Sequence, residues 1–220
     1  MARHGHLPKM NCPHKRENKR MNKNKCVYSD KIINIAAQYW INIIKDGKDH
    51  DNGDNSLTGF ICSHWANEST KELENKKLEE FRKAFFKELK KNIKKFPEQS
   101  EIHLYCDYHP CLVLSKAAEE ADIDTIQFPW KTGIIIGPDY ISEYKPYARK
   151  TFKDSLIYCE HSYLQSLIVI AEKRIENLPN DKWLSEEDKK EYAKDYQNNI
   201  KVYKELLETL PDGYVREDLR

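Results

Sequence analysis

Three side chains able to do nucleophilic chemistry crowd into Asp107-Tyr108-His109-Pro110-Cys111: a carboxylate, an imidazole and a thiol. Pro110 has no N–H to lose and suits the first turn of a helix, so Cys111 is expected in that turn. There, unpaired backbone N–H groups and the positive end of the helix dipole would stabilise a thiolate. A thiol held in this way serves as a nucleophile, with His109 as proton acceptor and Asp107 as orienting carboxylate. The competing reading is a buried cysteine acting as a small apolar residue. A second unusual peptide, Pro129-Trp130-Lys131-Thr132, supplies an indole and an ammonium. Together with Tyr108 they would grip a small polar or anionic substrate by stacking and charge. The plainer alternative is a tryptophan plugging the sheet edge beside a solvated lysine.

Other residues fit metal chemistry less well. Asp51 and Asp54 lie in an acidic loop, Asp49 to Asn55, whose Asn-Gly pair marks a tight turn. The loop lacks the glycine position and the closing glutamate of a calcium loop. Its acids join the site only if the first helix delivers them to the same cleft. Five of the six cysteines have a histidine within three positions, a composition found in zinc sites. The C-x-H steps are not the spacings of closed tetrahedral sites, which leaves Cys106, His109 and Cys111 as the best local zinc trio. No cofactor motif is identifiable. G-x-S-x-G, Walker A, GxGxxG and H-E-x-x-H patterns are all missing, which argues against several common enzyme classes.

The elements that must position these residues follow from periodicity. Ser29 can cap a helix running to about Lys45, and Ser69 with Glu72 forms a capping box for a long helix that ends before Pro97. Alternation over Glu101 to Asp107 sends Ile102, Leu104 and Cys106 to one face of a strand. A helix from Pro110 to Ala121, a strand from Asp124 to Phe128 and a buried strand from Gly133 to Gly137 follow. Strand, helix and strand in that order predict parallel neighbours, with ligands bound at the carboxyl ends of the strands. Two closing helices, Asp154 to Leu178 and Ser185 to Leu210, are expected to pair antiparallel around Pro179. The expected fold is α+β: a helix-rich single domain over residues 26–220, with about five helices around a small, partly parallel sheet of three or four strands.

Composition bounds the rest. The 220 residues hold 7 Gly and 9 Pro and are 33% charged, which excludes collagen-like, low-complexity and membrane-spanning classes. The net charge of +1 hides an asymmetry: residues 1–25 carry eight Lys or Arg against Glu17 alone, a +7 segment ahead of a −6 remainder. Such an arm, expected to be flexible, can bind nucleic acid through counterion release. No apolar leader is present, so the cysteines read as reduced thiols in a cytoplasmic compartment. The leading functional expectation is an enzyme acting on a small polar or anionic substrate between the two unusual peptides. The alternatives are a binding or interaction protein without chemistry, and a zinc-stabilised structural domain.

Overall fold

A computed structural model describes residues 27–46, 73–107, 109–144 and 151–219. The basic arm, the acidic loop with Asp51 and Asp54, the Ser69/Glu72 capping box and Tyr108 lie outside the described residues. These contain six α-helices and one five-stranded sheet.

Helix α1 (Asp30–Asp46) starts where Ser29 Oγ accepts the Ile32 N–H at 3.2 Å, one of the helix's orphan donors. Helix α2 (Asn75–Lys95) buries Leu78, Phe81, Ala84, Phe85 and Leu89 at three- and four-residue steps and stops two residues before Pro97, with Phe96 as its C-cap. Strand β1 (Ile102–Cys106) alternates buried and exposed residues along its whole length. It leads into α3 (Leu112–Glu120), whose end is a Schellman motif. Asp122 takes a left-handed conformation there, and the Ile123 N–H returns to the Ala118 carbonyl at 2.9 Å.

The expected strand at Asp124–Phe128 is instead a 3-10 turn, Thr125–Gln127. Asp124 provides the reason: its carboxylate accepts the Ile126 N–H at 3.0 Å, diverting a donor that a strand would need. Without that strand the chain travels back past the end of β1 before pairing. Strand β2 (Thr132–Ile136) therefore enters beside Cys106 and runs antiparallel to β1.

Strand β3 (Tyr140–Tyr144) follows by a hairpin through Gly137, where the Tyr140 ring lies so close that any Cβ would meet it at 2.1 Å. The proposed helix from Asp154 is broken into α4 (Phe152–Ser155), β4 (Leu156–Cys159) and α5 (His161–Asn177). All four residues of β4 are buried, a pattern that a half-exposed helix cannot satisfy. Helix α6 (Glu186–Thr209) begins with a reciprocal Ser185/Asp188 capping box, and the two-residue β5 (Tyr214–Val215) completes the sheet. Strand order is β1-β2-β3-β4-β5 with every pair antiparallel. The partly parallel sheet of three or four strands is thus corrected to a five-stranded antiparallel one.

The two faces of the sheet are covered unequally. On one face α1, α2 and α3 close a core around Trp40, Phe81, Phe85, Phe128, Leu104, Ile134 and Ile141. Trp40 and Phe128 sit 5.9 Å apart between ring centres, as do Phe81 and Phe128. On the opposite face α5 and α6 form a hairpin over β3 and β4. Tyr163 of α5 stacks on Tyr140 at 3.8 Å, and Leu164 and Leu206 pack with Leu156 and Cys159. The outer side of β1 and β2 is left without a helix among the described residues.

Candidate functional site

Register fixes what this open side presents. Tyr105 of β1 is opposite Gly133 of β2, which is opposite Tyr144 of β3. These three residues form one row across three strands, pointing away from the helical core because their neighbours Leu104, Ile134 and Glu143 point toward it. Tyr105 is 53% exposed and Tyr144 51%. Gly133 is the buried floor between them, and a Cβ there would lie 2.8 Å from both the Leu104 carbonyl oxygen and Tyr105 Cβ. Two strand spacings separate the tyrosine backbones by about 10 Å. A flat ring sandwiched between two others needs about 7 Å between the outer planes, twice the usual carbon contact distance.

A groove of about 580 Å³ runs along this row. One end holds His103 and Ile135, the next row of the sheet. His103 Nε2 lies 3.6 Å from Glu101, whose carboxylate also accepts the Tyr140 hydroxyl. The other end holds Asp107 and Lys131, immediately beyond the paired residues Cys106 and Thr132. Antiparallel pairing therefore carries the end of one unusual peptide and the start of the other to a single rim. Lys131 has a backbone φ of 52°, a left-handed conformation that is strained for a residue with a side chain.

The other expected site residues that are described, His109, Trp130 and Cys111, do not line the groove. His109 is exposed, Trp130 is half-buried, and neither borders the groove. Cys111 is the N-cap residue of α3 rather than a residue of its first turn. Its N–H donates to the Tyr105 carbonyl at 2.9 Å, while its half-buried side chain packs against the core and caps no helix N–H. Pro110 bridges back to Cys106, so the chain doubles on itself beyond β1. Cys106 points into the core, where burial, then the neighbouring Cys111 and Asp107, push its thiol up to about 12. Cys159 is likewise raised to about 12, by burial and then by Asp212, Glu160 and Asp139. Among the described residues no group of three His, Cys, Asp or Glu is arranged to hold a metal, the trio Cys106, His109 and Cys111 included.

Sequence reading overlooked Tyr105, Gly133 and Tyr144. The signal for Tyr105 was present, since it occupies the non-core parity of β1. The partnership of the three required the register between strands. No helix among the described residues is long and apolar enough to cross a membrane. No protein-family model matches the chain, and no curated protein or solved structure matches it either.

Proposed function

We propose that this chain is a binding protein that takes a flat, polar, ring-bearing ligand on the open side of its sheet, between Tyr105 and Tyr144. The supporting observation is the cross-strand row: two half-exposed tyrosines on either side of a glycine, with a carboxylate and an ammonium at the end of the same groove. Stacking on one aromatic side chain contributes about 1–3 kcal/mol per ring, and here two faces are offered. Asp107 accepts and Lys131 donates, so the polar end selects for orientation. A cytoplasmic, reducing location fits this reading, since Cys106, Cys111 and Cys159 are free thiols.

The test is titration of the full-length protein with the four ribonucleoside monophosphates, followed by saturation-transfer NMR. Ring protons of at least one nucleotide are expected to receive magnetisation, and Tyr105→Ala and Tyr144→Ala are each expected to weaken binding by about tenfold or more. Binding indifferent to both substitutions overturns the reading.

A second reading keeps Cys111 as a nucleophile served by His109 and Asp107, acting on a small polar or anionic substrate. Its support is the N-cap position at the start of α3, beside unpaired N–H groups. The separation of Cys111 from the groove and its packing against the core weigh on the other side. Once a turnover is found, Cys111→Ser with unchanged rate removes this role.

A further inference from the structure

Resting on the groove reading above, we propose that the ring held between Tyr105 and Tyr144 is a guanine base belonging to a single-stranded nucleic acid. The polar end of the groove carries the argument. A carboxylate only accepts hydrogen bonds, through two oxygens, and an ammonium only donates. Asp107 and Lys131 both line the groove, each one residue beyond the last pair of β1 and β2, Cys106 and Thr132. Of the four RNA bases, guanine alone presents two adjacent donors, N1–H and N2–H, next to a carbonyl acceptor, O6. Asp107 can take the two donors with its two oxygens while Lys131 approaches the carbonyl. Adenine and cytosine offer a carboxylate one amino group beside a ring acceptor that would face its second oxygen, and uracil offers one N–H between two carbonyls. A base can reach this groove only when unstacked and unpaired, which selects single strands.

Charge argues for a strand over a free nucleotide. The groove itself is close to neutral, but the chain leaving Tyr144 carries Lys145, Arg149 and Lys150 with no acid among residues 145–150. Residues 1–25 add +7. Both segments lie outside the described residues. Both supply cations that a polyanion would engage and a mononucleotide would use far less.

The test is fluorescence anisotropy of the full-length protein with labelled pentaribonucleotides UUGUU, UUAUU, UUCUU and UUUUU, with unlabelled GMP as competitor. UUGUU is expected to bind at least about tenfold tighter than the other three. Asp107→Asn is expected to bring all four within about twofold of one another, since an amide offers one acceptor in place of two. Tyr105→Ala, an exposed substitution, should weaken all four together. GMP should compete at least about tenfold less well than UUGUU. Equal affinity for the four oligonucleotides overturns the guanine assignment, and if Tyr105→Ala still weakens them the groove reading stands. GMP as tight as UUGUU overturns the strand assignment. Binding that no groove substitution alters overturns both.

Discussion

Tyr105 and Tyr144 belong to strands that never touch, yet they flank Gly133 in one cross-strand row. The gap between them exists only because the middle residue has no side chain. Gly133→Ala is expected to destabilise the protein by about 1–3 kcal/mol, the range of overpacking substitutions, because the new methyl meets the Leu104 backbone oxygen as well as Tyr105. Urea denaturation of the variant measures the cost. A Gly133→Ala protein as stable as the parent contradicts the close approach.

Lys131 offers a way to separate stability from binding. Its φ of 52° is relieved by glycine and not by alanine. Lys131→Gly is expected to be about 1 kcal/mol more stable than Lys131→Ala, a difference read from thermal melts. Both variants should lose ligand affinity to the same extent, because both lack the ammonium. Affinities that differ between the two would instead tie binding to backbone conformation.

The buried thiols predict a pH dependence. Cys106 and Cys159 titrate near 12 in the fold, against an ordinary value of 9.0. The folded state therefore favours the protonated thiol. The stability tied to that preference is whole below about pH 9 and drains away as pH rises toward 12. Chemical denaturation between pH 8 and 10.5 should show stability falling, and less steeply in the Cys106→Ala/Cys159→Ala double variant. Iodoacetamide near neutral pH should label Cys111 first among these three, since only thiolates react and Cys111 alone is partly accessible. Rapid labelling of Cys106 would contradict its place in the core.

A polar clamp joins the C-terminal segment to α1 and β3. The Tyr39 hydroxyl donates to Glu143 at 2.8 Å, Arg216 reaches the same carboxylate at 3.5 Å, and Arg216 also binds Asp218 at 2.7 Å. Burial, then Glu143, holds the Tyr39 phenol well above its ordinary range, so it remains a donor at any ordinary pH. Tyr39→Phe removes that donor from a carboxylate that is itself 4% exposed, and is expected to cost about 1.5–3 kcal/mol in a thermal or urea melt. A neutral outcome would show that Glu143 is satisfied without the Tyr39 hydroxyl.

Local signals carried much of the fold. The Ser29 cap, the alternation of Ile102, Leu104 and Cys106, and the start of the last helix at Ser185 are each decided within a few residues, and the structure keeps all three. Leu156 to Cys159 is a short apolar run that periodicity alone cannot assign to helix or strand, and it went to the sheet. Strand direction was equally illegible. It turned on one aspartate, Asp124, drawing its segment into a 3-10 turn and so moving the second strand to residues 132–136. At the candidate site, Asp107 and Lys131 were visible as unusual residues next to strand ends. The tyrosines were not, because a cross-strand row is a property of pairing between segments and no single stretch of chain contains it.

The α5–α6 hairpin is spliced into the sheet between β4 and β5, and its far corner carries Trp183, 96% exposed. Neither helix lines the groove. The corner at Lys182 and Trp183 is thus a natural handle: a dye, an affinity tag or a surface tether grafted there would leave Tyr105, Gly133 and Tyr144 unobstructed.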